Sequence, residues 1–122
     1  MDAEVKVLAD RRAPIVHVAG KVDLSSAALL HRALVDLIGG GSHQIVVDMA
    51  HLDFIDSTGL GVLVGACKRL RAEGGSLQLV VTSSRLLDLF RITGLTTAMS
   101  IHATVDAALA AAVTASEASH PS

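Results

Sequence analysis

The apolar residues of the chain change their spacing several times, and each change predicts a new element. Val5, Val7 and Ala9 alternate with polar residues, which is typical of a half-buried strand. The run from Ile15 to Ala19 predicts a second strand. The two strands together indicate a hairpin that Gly20 closes.

Four later segments carry apolar residues three or four positions apart, the spacing of a helix that buries one face. Glycines follow the first three of these segments, at Gly39 to Gly41, at Gly74 and Gly75, and at Gly94, and predict their ends. Thr104 is the expected N-cap of the last helix. The apolar positions are Ala27, Leu30, Leu34, Leu37 and Ile38; Leu60, Leu63, Val64, Cys67 and Leu70; Leu86, Leu87 and Phe90; and Val105, Ala108, Leu109 and Ala112.

Three further strands are expected between these helices. Gln44 to Met49 and Leu77 to Val81 are nearly continuous apolar runs, as in strands covered on both faces. Ala98 to Ile101 predicts a short edge strand. The order ββαβαβαβα predicts an α/β fold with a mixed sheet and helices packed against it. We expect one domain over residues 4–115 and a flexible tail over 116–122.

Composition and charge narrow the classes of function. At 122 residues, with 51% apolar and 18% charged residues, the chain can bury one core. A net charge of −2 and only two aromatic residues argue against direct binding of nucleic acid. The absence of any apolar run of about 20 residues predicts no membrane span, and the acidic N-terminus favours a cytoplasmic protein. The single Cys67 and the spacing of the histidines predict no metal or cofactor.

The turn after the central strand carries the most informative residues. Asp56, Ser57 and Thr58 are all good helix N-cap residues. Gly59 and Gly61 then cost the helix about 1 kcal/mol each in propensity, which suggests a surface that must stay open. Capping alone and a functional site both remain possible on these residues. A hydroxyl here would lie near the positive end of the helix, where free backbone N–H groups could accommodate phosphate.

The run Asp56-Ser57-Thr58-Gly59-Leu60-Gly61 resembles the signature of the STAS domain of bacterial anti-sigma-factor antagonists. Matching segments stand in register before and after it. They are Gly20-Lys21-Val22-Asp23, Ile45-Val46-Val47-Asp48, Gly74-Gly75, and the segment from Leu89 to Leu95. The resemblance extends over about residues 4–113 and implies a STAS-like domain.

The resemblance implies a phosphorylation switch at Ser57. In this family the serine after the aspartate is phosphorylated by a partner that is both an anti-sigma factor and a serine kinase. The unphosphorylated form binds that kinase and releases the sigma factor, and a metal-dependent serine phosphatase restores it. Lys21 departs from the Glu of many relatives. The implied partner-binding residues are Asp23, Asp56, Ser57, Thr58, Gly59, Leu60 and Gly61, of which Asp23, Ser57, Thr58, Leu60 and Gly61 are expected on one exposed patch.

Three alternatives compete with a switch: an enzyme, a fixed docking subunit of the same fold, and nucleotide binding at the Ser57 loop, which lacks a Lys-bearing phosphate loop. An enzyme is not expected, because Ser57 lacks a G-x-S-x-G setting and His51, a conceivable base, stands six residues upstream. The second alternative keeps the fold and drops the switch. The chain would then be a fixed STAS docking subunit of a lipid-transport or stress-signalling assembly. The intact serine favours the switch.

Overall fold

A computed structural model of the chain describes residues 3–119, with the side chains of residues 3–117. Within these residues the chain forms five strands and five helices. The strands are β1 (Glu4–Leu8), β2 (Ile15–Val22), β3 (Gln44–Ile55), β4 (Ser76–Val80) and β5 (Ser100–His102). The helices are α1 (Ala27–Gly39), α2 (Ser57–Ala72), α3 (Ser84–Ile92), α4 (Leu95–Ala98) and α5 (Val105–Ser119).

The five strands form one mixed sheet in the order β1-β2-β3-β4-β5. β1 pairs with β2 antiparallel, and every later pair is parallel. This topology confirms the predicted α/β class, the opening hairpin and the element order, with the single turn of α4 added. Because β2, β3 and β4 are parallel, their carboxyl ends lie at the same edge of the sheet, and the loops into α1, α2 and α3 start there.

The sheet is covered on both faces, but unequally. On one face, α1, α2 and α3 contribute Leu34, Leu63 and Phe90 to the larger core cluster. On the other face, Leu109 and its neighbours in α5 pack against Ile15, Val46 and Val80. β3 sends Val46 to the α5 side and Val47 to the other side, which confirms that its continuous apolar run is buried on both faces.

β2 and β3 run further than the sequence predicts. β2 continues through Gly20 to Val22, so the prediction that Gly20 closes the strand is wrong. The φ angle of Gly20 is 86°, and β3 carries an extra residue opposite it, because Gly20 pairs with Leu52 and Lys21 with Phe54. Such bulges interrupt the alternation while strand pairing continues. The apolar pattern therefore fades before β3 ends at Ile55.

The two ends of the sheet also differ from expectation. β1 is an edge strand, and the helices cover only its start near Val5. Val7 is therefore 48% exposed, and the prediction that Val7 is half-buried is wrong. β5 starts at Ser100 instead of Ala98, because residues 95–98 form α4. Gly94, which precedes α4, has a left-handed backbone conformation. α5 continues to Ser119, past the predicted boundary at 115. Residues 120–122 of the predicted tail lie outside the described residues.

Substitution of Leu63 tests which face of α2 is buried. Leu63 has no exposed surface and lies in the larger core, together with Cys67 and Leu70, while Val64 is half-buried against the same core. We expect Leu63→Ala to lower the free energy of unfolding by about 2–5 kcal/mol, the range for a truncated core leucine. Urea denaturation measures this loss. Lys68→Ala, on the exposed side of α2, is the control, and a loss for Leu63→Ala no larger than that of the control would contradict the packing.

Candidate functional site

The pairing of β2 with β3 brings two aspartates to the same point at the carboxyl edge of the sheet. Val22 and Ile55 are the last paired residues of the two strands. Asp23 and Asp56 directly follow them, and the Asp56 N–H donates to the Val22 carbonyl oxygen at 3.0 Å. Neighbouring strands lie about 4.8 Å apart, so the two loops form one surface.

The Asp23 loop is held by a local hydrogen-bond network. Oδ1 of Asp23 accepts from the Ser25 N–H at 3.0 Å and from the Ser25 hydroxyl at 2.7 Å. Ser26 is 2% exposed, and its hydroxyl accepts from the Asp23 N–H and donates to the Lys21 carbonyl oxygen. The bond from the Ser25 hydroxyl is the main cause that holds the pKa of Asp23 below its ordinary value. Asp23 is therefore a fixed negative charge at neutral pH.

Asp56 is the N-cap of α2. Its Oδ1 accepts from the backbone N–H groups of Thr58 at 2.9 Å and Gly59 at 3.1 Å. This arrangement satisfies two of the donors that a helix start leaves unpaired. The expectation that free N–H groups would receive a phosphate here is wrong for these two groups, because the Asp56 carboxylate already occupies them.

The capped helix leaves Ser57, its first residue, on the surface. Thr58 and Gly61 are also exposed, while Asp23 and Asp56 are half-buried. None of the described residues forms a hydrogen bond to the Ser57 hydroxyl. The structure therefore brings the predicted residues together at one edge and leaves the predicted acceptor accessible.

Gly59 and Leu60 are buried, so the expectation that Leu60 lies on the exposed patch is wrong. Leu60 turns toward the larger core because it lies on the same face of α2 as Leu63. Gly59 faces the ends of both strands: a Cβ atom there would lie 2.6 Å from Ile55 Cγ1 and 2.7 Å from Val22 Cγ1. The close packing favours glycine, since a Cβ at such distances would force the Ile55 and Val22 side chains to shift.

Sequence reasoning missed two exposed apolar side chains at this edge. Leu24, next to Asp23, is 79% exposed, and Phe54, two residues before Asp56, is 46% exposed. Single exposed apolar side chains are normal on a protein surface, and only a contiguous apolar patch indicates a binding surface. In the sequence, Leu24 is a single leucine in a turn and Phe54 is a phenylalanine in a polar segment. Neither residue fits the apolar spacing of a helix or strand, so the pattern did not mark them.

Among the described residues, neither His51 nor His17 forms a hydrogen bond to Ser57. The His51 ring packs edge-on against that of His17, with centroids 5.6 Å apart, and His17 Nδ1 lies 3.1 Å from Asp48 Oδ2. No group of three or more His, Cys, Asp or Glu residues in the described part of the chain could hold a metal ion. Among residues 3–119, no helix has the length and apolar character needed to cross a membrane.

Comparison with known proteins identifies the family. The STAS domain family profile matches residues 4–108. The chain belongs to the STAS domain family. The anti-sigma-B factor antagonist of Bacillus subtilis (strain 168) is 42% identical over 88 residues, covering 72% of this chain and 80% of the relative. STAS anti-sigma factor antagonists are regulatory binding proteins, which confirms the prediction that this chain is not an enzyme.

Solved structures share the STAS fold. An anti-sigma factor antagonist from Mycobacterium paratuberculosis superposes with a TM-score of 0.83 over 90% of this chain and 93% of its own, at 24% identity. The Bacillus cell fate determinant SpoIIAA in its phosphorylated form gives a TM-score of 0.67 over 85% and 96% of the two chains, at 21% identity. At these identities the likeness establishes the fold alone.

Alanine substitutions at two glycines of the STAS signature should have opposite effects on the stability of the domain. Gly59→Ala places a methyl group against Ile55 and Val22, and we expect about 1–3 kcal/mol of destabilisation from overpacking. A Cβ at Gly61 meets no atom within 4 Å, so Gly61→Ala should stabilise the domain by up to about 1 kcal/mol through helix propensity. Thermal and urea unfolding measure both. Equal effects of the two substitutions would contradict the close approach at Gly59.

The Asp23 carboxyl should titrate below its ordinary pKa because of Ser25. A folded-state pKa below the unfolded one means that the carboxylate supports stability above about pH 4 and loses this contribution as the pH falls through its folded pKa. Ser25→Ala should return the pKa of Asp23 toward the ordinary value. Carbon-detected NMR titration of the carboxyl group measures the midpoint, and an unchanged midpoint in the variant would show that Ser25 is not the cause.

Proposed function

We propose that this STAS protein is an anti-sigma factor antagonist of the cytoplasm. In its unphosphorylated form it binds a protein that is both an anti-sigma factor and a serine kinase, and thereby releases the sigma factor. Phosphorylation of Ser57 ends this binding, and a metal-dependent serine phosphatase restores it. Asp23, Asp56, Thr58 and Gly61 belong to the same bound surface.

The observation that carries the proposal is the placement of the Ser57 hydroxyl. It is exposed at the first position of α2, while the side chain of its neighbour Asp56 performs the capping. This serine is not needed for the cap, and its hydroxyl has no hydrogen-bond partner among the described residues. Another protein can therefore contact and modify it. Buried Gly59 and Leu60 support the surface from below and fix its shape.

Charge supplies the switching mechanism. Phosphate adds a charge of about −1.5 to −2 to an edge that already carries Asp23 and Asp56. A partner that fits a neutral hydroxyl beside Asp56 must then accept a more anionic surface. A carboxylate of the partner about 5 Å from the phosphate would cost about 3 kcal/mol at an effective dielectric of 20. Since 1.4 kcal/mol is tenfold in affinity, a loss of about two orders of magnitude follows without any refolding.

The relatives support the same role. The Bacillus subtilis relative is named for antagonism of an anti-sigma factor, and its similarity extends over most of both chains. The structural neighbour SpoIIAA has been solved in a phosphorylated form, so this fold tolerates phosphorylation in at least one member. A fixed docking subunit, the alternative, would have no use for a modifiable hydroxyl at this position.

Ser57 substitutions test the switch. Ser57→Asp should weaken binding to the purified anti-sigma factor kinase at least tenfold, because it adds part of the phosphate charge. Ser57→Ala should bind as tightly as the wild type, resist phosphorylation by kinase and ATP, and leave the sigma factor released. Isothermal titration calorimetry measures affinity, and mass spectrometry locates the phosphate.

Thr58→Ala is the matched control, because Thr58 is the adjacent exposed hydroxyl. It should still be phosphorylated at residue 57. Phosphate on Thr58 alone, or full binding by protein phosphorylated at Ser57, would contradict the proposal. Capture of a membrane transport component, with no phosphate transferred by any kinase partner, would favour the fixed docking subunit.

A further inference from the structure

A groove runs between α1 and α2 on the outer side of the helical layer. Its volume is about 400 Å³, within the range of sites that bind ligands or partner side chains. The floor is apolar and belongs to the core, through Leu34, Ile38 and Ala66. One end is formed by Thr58 and Gly61, next to the proposed switch, and the other by Arg69.

The groove exists because α2 lacks side chains where it faces solvent beside α1. Gly61 and Gly65 both line it, and a Cβ at either position would meet no atom within 4 Å. Nothing inside the domain therefore requires these two glycines, unlike Gly59, which the strand ends require. Two glycines within a helix lower its stability, so an occupant from outside the domain accounts for the open space.

The groove is long enough for about three turns of an α-helix. Its lining residues recur at three- and four-residue intervals along both walls, at 31, 34, 35 and 38 of α1 and from 58 to 69 of α2. The α2 wall from Thr58 to Arg69 is about 16 Å long at 1.5 Å per residue, or about three turns. An amphipathic helix laid in a groove presents apolar residues at the same spacing.

The charge of the groove indicates what its occupant carries. Arg69 and His31 lie at the rim, and among the described residues no carboxylate lines the groove. Arg69 is paired only loosely, with its Nε 3.9 Å from Glu73 and about half of both side chains exposed. A carboxylate on the occupant would complement this rim.

We infer that the α1–α2 groove receives an amphipathic helix of the same anti-sigma factor kinase, with apolar residues over Gly61 and Gly65 and an acidic residue facing Arg69. This inference rests on the proposed function and extends the bound surface from Ser57 along two further turns of α2. The groove supplies apolar contact that persists whatever the state of Ser57, whereas the switch residue supplies the charge-sensitive contact.

Filling the groove tests the inference. Gly65→Trp should weaken binding of the purified kinase at least tenfold by calorimetry, because the indole occupies the space of the partner's helix. Lys68→Trp is the matched control: it puts the same side chain three residues further along α2, at an exposed position that does not line the groove. It should bind within twofold of the wild type. Circular-dichroism melts of both variants should stay close to that of the wild type.

Arg69→Glu and Lys68→Glu form a second pair with equal changes of net charge. Only Arg69→Glu should weaken binding, at least fivefold, and it should do so less at high salt. A photo-crosslinking residue at position 65 should join to one kinase segment with apolar residues three and four apart and a nearby Asp or Glu. This second readout remains usable if Gly65→Trp fails to fold.

The outcomes separate the two proposals. Normal binding by Gly65→Trp together with weakened binding by Ser57→Asp would overturn the groove assignment and leave the switch intact. Equal losses for the position 65 and position 68 variants would also overturn it. A concentration-dependent dimer that Gly65→Trp dissociates would replace the partner helix by a second copy. Failure of the wild type to bind any anti-sigma factor kinase would overturn both proposals.

Discussion

The close approach of α2 to the ends of β2 and β3 is the constraint on which the site depends. Val22 and Ile55 are paired across the two strands, and their side chains together leave no room for a Cβ at Gly59. A glycine at this position lets the first turn of the helix lie directly on the strand ends. The position of every residue in that turn, Ser57 included, then follows from the strand register rather than from a mobile loop.

The same constraint gives neighbouring residues of this turn different structural roles. Asp56 satisfies the helix start, Gly59 and Leu60 pack inward, and Ser57 is left with its hydroxyl in solvent. Because the cap is made by Asp56, a change at Ser57 costs the domain little. A protein that signals through one side chain benefits from this separation, since modification alters the surface and its charge while the fold persists.

Much of the fold followed from the sequence, and the exceptions have physical causes. The long apolar periods predicted α1, α2 and the buried part of β3, because burial on a fixed face imposes a period. The far end of β3 was missed because bulges break the alternation and the sheet is left uncovered on the α5 side beyond Ala50. The gathering of Asp23 with Asp56 was expected from resemblance alone, since it depends on the pairing of Val22 with Ile55, which are 33 positions apart in the chain. Leu24 lies in the loop between β2 and α1, where no helix or strand spacing could predict its exposure.

The glycines of α2 show why a signature motif has to be read position by position. Gly59, Gly61 and Gly65 look equivalent in the sequence, and each weakens the helix by a similar amount. The structure separates them, because Gly59 is enclosed by Ile55 and Val22 while the other two face open space. The first therefore serves the fold. The other two leave a groove that opens beside Thr58, so α2 joins the edge that carries the proposed switch to a groove with an apolar floor along its length. In the proposed complex, a partner that contacts both regions gains affinity from the groove and is still released by one phosphate, provided that the groove contact alone is too weak to hold it.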